Sequence, residues 1–548
     1  MMMPDHAGPP PQADPVEPAH APHAEPGAAG PGLAAAARSA DQRARWRSRV
    51  LTAAALLLVA FGLFLCYLTV SRAAPVTSDG AGNALQAWSM LHGNWLLHGW
   101  WLSDVSFYTT ELPEYLLIEM GRGLTPDVVH VAAGLTYTLL VLGAAWLAKG
   151  RSTGWAAIAR MLLAGGIMLA PQAAAVPVLM LSPDHVGSAV PVLAVLLLLD
   201  RAPPRWWVPT LTGIVLAGAL VADKVLIVTA VLPLLVISTG RVCSGVAHRQ
   251  PLRSRWLELS LICAAVAAVG VSNGILALIA AHGGFTVWSV RARLAPWPQV
   301  LTHLKVLPHG LALLHLAGVG LAIWGVGAAL WRFPRLSFVD QLLVSAVLIN
   351  LLAYLLLTPG TLPYSARDYS AVLPLSAALA GRMAGRWLLS ARLAPVAAAV
   401  LAGYVLSLAA VMVAPSAPPP KDARLADWLL AHHLDYGLGA YGTGNALTLY
   451  AGGRVHVVVV VFRGGRCYPL QWEAQAPDYE ARLHDATFIV QTMPAAAIRR
   501  VFGIPDHVYH VGATRVLIWH KNLLTDVQPI SSRPGHGAAG RHALPGGL

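Results

Sequence analysis

Acids cluster in one stretch of a 548-residue chain: Asp79, Asp104, Glu111, Glu114 and Glu119 all fall within 71–127. A carboxylate held at a surface can take a proton from a hydroxyl as a general base. Asp79 also opens a helical pattern, TSDGAGNALQAWSMLHGNW, so Ser78 or Asp79 is equally an N-cap, and one residue can serve both purposes. Asp104, Glu111 and Glu114 read either as ordinary loop acids or as the lining of a site. In LSPDHVGSAVP, Asp184 and His185 have the chemistry to bind a metal or orient a substrate. Two adjacent residues are not a complete metal site, and a turn after Pro183 explains them as well. Asp223 and Lys224 are either a local ion pair or a substrate contact. Arg291, Arg293 and Lys305 stand among aromatic residues in 282–305, as cations snorkelling from an interfacial helix or as ligands of a lipid phosphate. Arg367 and Tyr369 lie in ARDYSAVLP, where a guanidinium offers a fixed charge and a bidentate fork to phosphate, or simply marks an interface. His303, His309 and His315 recur every six residues, a spacing that does not share a helical face, so they form no metal cluster.

The elements that must hold these residues are apolar. The chain is 56% hydrophobic and 12% charged, about half the charge of a typical soluble domain at roughly 25%. Residues 50–70 carry no charge and are long enough to cross a bilayer core. This is a polytopic α-helical membrane protein, with spans near 50–70, 128–148, 160–181, 188–200, 207–221, 225–239, 257–281, 308–331, 337–358, 371–389 and 394–414. Residues 206–238 are divided into two spans, because Asp223 and Lys224 at the centre of one would cost about 2.5–3.5 kcal/mol each. Arg43, Arg45, Arg47 and Arg49 precede the first span and put the N-terminus in the cytoplasm. Every second loop is then basic, as the positive-inside rule requires. The net charge of +12 has the same origin, so no nucleic-acid partner is implied.

About 11 spans, N-in and C-out, leave 421–526 as a small exterior α/β domain. Its pattern reads helix 424–434, strand 455–461, strand 486–491, helix 495–502 and a hairpin over 508–519 broken at Gly512. GTGN at 442–445 lacks the lysine and spacing of a phosphate loop. Residues 1–45 and 529–548 read as disordered tails, the first cytoplasmic and not a signal peptide, because the first apolar run starts too late and is too long. The membrane portion is 46–414, with a long first outer loop at 71–127. In that loop Ala84, Trp88, Leu91 and Trp95 form a stripe suited to a helix lying in the interface. The four cysteines fit no metal or disulfide pattern.

An acid soon after the first span, the interfacial helix, the long first loop and ARDYSAVLP together resemble the GT-C glycosyltransferase superfamily. The nearest likeness is to protein O-mannosyltransferases and bacterial polyprenyl-phosphate-sugar transferases. The resemblance covers the membrane portion. It implies an enzyme of hexosyltransferase type in a bacterial plasma membrane and cell envelope. A sugar would pass, with inversion, from a polyprenyl-phosphate donor to an acceptor that is a glycan, a protein or a lipid. Asp79 would be the base, matching an acid that is paired in many members and single here. Asp184 matches a second-loop acid by location, and Arg367, with Lys224 or Arg291, would face the lipid phosphate. Some members use a divalent metal, for which Asp184 and His185 are the candidates here. The competing readings are a transporter or flippase for a lipid or glycan, and a non-catalytic membrane scaffold.

Overall fold

The computed structural model describes residues 31–169, 176–287, 293–311, 316–358, 367, 369–385, 387, 390, 392–413 and 419–529. Residues up to Val59, with the opening part of helix Pro31–Arg72, form one unit, and residues from Ala60 form a second that contains the apolar core and the candidate site. The first helix begins inside the stretch expected to be a disordered tail. Alanines at 34–37 favour helix there over the disorder that composition suggested.

Among the described residues, five helices are long and apolar enough to cross a membrane: Val50–Arg72, Asp127–Lys149, Ile227–Ala247, Leu252–Ala281 and Phe338–Leu356. Shorter apolar helices include Gly154–Met168, Trp207–Ala222, Val372–Ala384 and Ala394–Ala410. The division at Asp223 is present: one helix ends at Ala222 and the next helical turn starts at Ile227. Of the span expected near 160–181, helix Gly154–Met168 and a turn at Val176–Leu179 are described, and residues 170–175 lie outside the described ones. Of the span expected near 308–331, helices Trp297–Leu311 and Leu316–Trp331 are described, and residues 312–315 lie outside the described ones.

A single apolar core runs through the helices from Tyr67 to Leu408. Helix Val372–Ala384 lies at its centre, and a Cβ on Gly381 would come within 2.6 Å of the Arg160 carbonyl. At one end of the bundle Arg382 ties four helices together. It donates to Asp340 through Nε, to Asp200 Oδ1 at 3.0 Å, and to the Leu147 carbonyl at 2.9 Å. At the other end the loops converge on the candidate site.

The C-terminal sheet has six strands in the order Arg466–Pro469, His456–Arg463, Tyr436–Gly439, Phe488–Gln491, Thr514–Ile518, His507–Val511. The central strand Tyr436–Gly439 runs parallel to both neighbours, with Leu438 opposite Val458 and Ile489, and the outer pairings are antiparallel. Strand His456–Arg463, helix Ala495–Phe502 and the hairpin follow the expected pattern. Strands Tyr436–Gly439 and Arg466–Pro469 and helix Gly444–Tyr450 are additions to it.

Of the expected stripe on the first-loop helix Ser78–Leu91 and just beyond it, Ala84 is buried, Trp88 and Leu91 are half-buried and Trp95 is exposed. Ala81, Ala84 and Ala87 pack with Val128 and Val129, with Tyr115, and with Ala446 and Leu449 from the C-terminal region. Asn83 and Gln86 are buried too. Small residues along this helix let neighbours approach on several sides, which a stripe of apolar positions does not reveal. Trp95 lies beyond its end and is 56% exposed. A two-stranded clasp pairs Trp100 with Gln475 and Trp101 with Ala474, joining the first loop to the C-terminal region.

Candidate active site at the start of the first-loop helix

Thr77, rather than Ser78 or Asp79, caps the helix: its side chain accepts from the Gly80 N–H at 3.1 Å. The Asp79 carboxylate is therefore not consumed by the cap, and it sits in the first turn, where the helix dipole favours negative charge. Its Oδ2 accepts from Arg367 Nη1 at 2.8 Å and its Oδ1 from the Tyr441 hydroxyl. About a third of the side chain is exposed.

Arg367 also reaches the second outer loop, with Nη1 3.5 Å from Asp184 Oδ2. Asp184 is buried; it accepts from Asn83 Nδ2 at 2.7 Å and from Ser182 Oγ. Burial raises its pKa, and the nearby Asp79 adds to that, against the opposing pull of Arg367. Arg367 is itself buried, and despite that burial the charges of Asp79 and Asp184 hold its proton more tightly than usual. Its Nε is a buried donor that meets no acceptor among the described residues.

The C-terminal region closes the site from above the helix. Tyr441 follows the end of the central strand Tyr436–Gly439, and Ser78 Oγ donates to its carbonyl. The Tyr441 hydroxyl contacts Asp79, lies 2.9 Å from Glu473 Oε2 and accepts from Trp472 Nε1 at 3.2 Å. Glu473 has φ 48, an uncommon backbone for a non-glycine residue. It is fitted against Gly82, where a Cβ would come within 2.4 Å of Glu473 Oε2. Asn445, from the GTGN turn, donates to the Glu473 carbonyl at 3.0 Å.

A second group of acids adjoins the first. His185 Nδ1 lies 2.8 Å from Asp223 Oδ2, which also accepts from Ser188 Oγ at 2.7 Å. Burial raises the pKa of Asp223, but His185 and these hydrogen bonds outweigh it and leave it below the usual value. Asp104 is raised by burial, with His185 and Asp223 among the charges acting on it. Glu111 is buried, bonded to Thr110 and pressed against Gly187, and burial holds it well above the ordinary carboxylate range. Asp184 and His185 thus point to different partners. Among the described residues, no three or more His, Cys, Asp or Glu side chains are grouped to hold a metal.

The other sequence candidates lie apart from this cluster. Lys224 Nζ points to helix Trp256–Ala281, donating to Asn273 Oδ1 at 2.9 Å. It makes no local ion pair with Asp223, which is turned toward His185. Tyr369 is buried with its ring centroid 4.4 Å from that of Tyr354. Arg291 lies outside the described residues. Sequence reasoning missed Tyr441, Glu473, Trp472 and Asn83. The signal for Tyr441 was its place after a strand at the centre of a parallel arrangement, since such sheets carry their functional groups beyond the carboxyl ends of strands.

No protein-family model and no curated protein sequence matches the chain. Solved structures do. ArnT from Cupriavidus metallidurans in the apo state aligns over 88% of this chain and 100% of its own, at 14% identity and a TM-score of 0.53. The same protein bound to undecaprenyl phosphate aligns over 87% and 99%, at 15% identity and a TM-score of 0.50. An Archaeoglobus fulgidus oligosaccharyltransferase tethered to an acceptor peptide aligns over 73% and 63%, at 13% identity and 0.42. At these identities the likeness to ArnT is one of fold alone.

Proposed function

We propose that this protein is a membrane glycosyltransferase that moves a sugar from a polyprenyl-phosphate donor to an acceptor hydroxyl, with inversion at the anomeric carbon. The observation that carries this is the convergence of Asp79, Asp184 and Arg367 from three separate loops onto one contact cluster. A scaffold has no use for that convergence, and a flippase does not need a partly exposed carboxylate there. The ArnT fold supports the same class, and the structure of ArnT with undecaprenyl phosphate supports a lipid-phosphate donor. On this reading the chain has about 11 spans in a bacterial plasma membrane, with 421–526 outside.

In the reaction, the acceptor oxygen bonds to the anomeric carbon as its proton passes to Asp79. The bond from that carbon to the phosphate oxygen breaks, and the polyprenyl phosphate leaves with the electron pair. Arg367 holds Asp79 and Asp184 in the resting site, and its Nε remains as a donor for an incoming phosphate. The residues do not fit a divalent ion, because the guanidinium already lies between the two carboxylates. No step is assigned to a metal. The acceptor is a glycan, a protein or a lipid.

The test is release of polyprenyl phosphate from polyprenyl-phosphate sugars by the purified protein. Asp79→Asn is expected to lower it by about 10²–10⁴-fold, the usual contribution of such a base, with the melting temperature little changed. A wild-type rate in this variant removes Asp79 from the chemistry.

A further inference from the structure

We infer that Tyr441 and Glu473 form a proton relay that recharges Asp79, with Glu473 holding a proton in the resting site and releasing it to the cavity behind. This rests on the transferase reading for its purpose, but the placement of the proton rests on hydrogen-bond chemistry alone. A phenol has one proton to donate. The Tyr441 oxygen contacts two carboxylates, Asp79 Oδ1 and Glu473 Oε2, and also the Trp472 indole N–H, which only donates. One O–H cannot serve two carboxylates at once, so one of the two acids must itself carry a proton and donate it to the phenol oxygen.

The surroundings decide which. Asp79 Oδ2 accepts from the Arg367 guanidinium at 2.8 Å, a fixed cation that donates and never accepts. Glu473 is 3% exposed and has no cation among its hydrogen-bond partners. Asp79, Asp184 and Arg367 face it from the site. Burial, with Asp79 and Asp184, drives its pKa well above the ordinary range, against the weaker opposing effects of Tyr441 and Arg367. Glu473 therefore donates to Tyr441, and Tyr441 donates to Asp79.

Glu473 also lines a cavity of about 240 Å³, together with Trp88, Asn445, His456, Gln475 and Asp478. That is room for several waters, at about 30 Å³ of liquid volume each. Burial pushes Asp478 up to about 7, so it exchanges protons near neutrality. One turnover then balances. Asp79 takes the acceptor proton as the new carbon–oxygen bond forms. Glu473 releases its proton to the cavity. The Asp79 proton passes to the Tyr441 oxygen while the Tyr441 proton passes to Glu473, which restores the resting arrangement. One proton crosses from acceptor to cavity, with no change of oxidation state. Glu473 acts through Tyr441, as a positioning and proton-holding residue.

Glu473→Gln is the informative variant, because an amide still donates to Tyr441 but cannot pass a proton on. Infrared difference spectra at neutral pH are expected to show a protonated-carboxyl band in wild type that is lost in Glu473→Gln. With a polyprenyl-phosphate sugar, first-turnover transfer should stay within about threefold while steady-state turnover falls about tenfold or more, a smaller loss than removal of the base itself. Tyr441→Phe should lose steady-state turnover similarly. Absence of the band in wild type, or equal steady-state rates in wild type and Glu473→Gln, overturns the relay. A wild type that shows the band yet transfers from none of the donors overturns the transferase reading, not the proton on Glu473.

Discussion

Arg367 bridges two carboxylates that come from different loops, so its loss leaves Asp79 and Asp184 facing each other without a counter-charge. Breaking a buried pair costs about 3–5 kcal/mol, and the exposed third of Asp79 reduces that here. Arg367→Met is expected to lower both the melting temperature and transfer. Arg367→Lys keeps the charge but not the fork, so the melting temperature should largely recover while transfer stays at least about tenfold down. Equal transfer in the Lys variant and wild type would mean that only the charge matters. Asp79, Asp184 and Arg367 were legible in the sequence because an acid or an arginine in an outer loop of a charge-poor chain stands out. Tyr441 and Glu473 were not. They are ordinary residues in a polar region, and their link to Asp79 is made across a span of 362 positions. No local pattern encodes so distant a contact; only the strand-end position of Tyr441 hints at it.

Helix Glu111–Arg122 carries three acids that the fold keeps from water. Burial holds Glu111 well above its ordinary value, Glu114 up to about 8 and Glu119 up to about 9. Both Glu119 oxygens are buried with no partner among the described residues. In the unfolded chain these acids ionise near pH 4.5; in the folded one Glu114 keeps its proton to about 8 and Glu119 to about 9. Unfolding between these limits releases protons, so stability falls as pH rises through that window and levels off above it. The melting temperature of the solubilised protein should therefore drop between about pH 5 and pH 9. Glu119→Gln should flatten the drop at its alkaline end; an unchanged slope would show that Glu119 ionises freely. The existence of this helix was not read from the sequence, where its acids looked like loop polarity. The neighbouring helix Ser78–Leu91 was read, but not its burial, because glycines and alanines look the same whether they face lipid, water or another helix.

At the scale of the whole bundle, helix ends sort into two sets. Leu147, Asp200, Asp340 and Arg382 meet at one end, near the ends of spans that adjoin the basic loops expected on the cytoplasmic side. Asp79, Asp184, Asp223 and Arg367 gather at the other. Charge alternation along the sequence made this sorting legible, since each basic loop resets the side. Helix lengths did not, because several apolar helices are shorter than a full span and only packing keeps them in place. The contacts fix which ends lie together; the orientation in the membrane is proposed from the basic loops alone. It can be measured by thiol labelling, because Cys243 is exposed at the end of helix Leu232–Ala247, on the side proposed as cytoplasmic. Ala513, exposed between the hairpin strands, lies on the side proposed as exterior. With Cys66, Cys263 and Cys467 replaced by alanine, a membrane-impermeant maleimide should leave Cys243 unlabelled in intact cells and label it after permeabilisation. Adding Ala513→Cys should give labelling in intact cells. The reverse pattern would turn the protein over in the membrane, placing Asp79 on the cytoplasmic face, and the transfer would then draw on acceptors inside the cell.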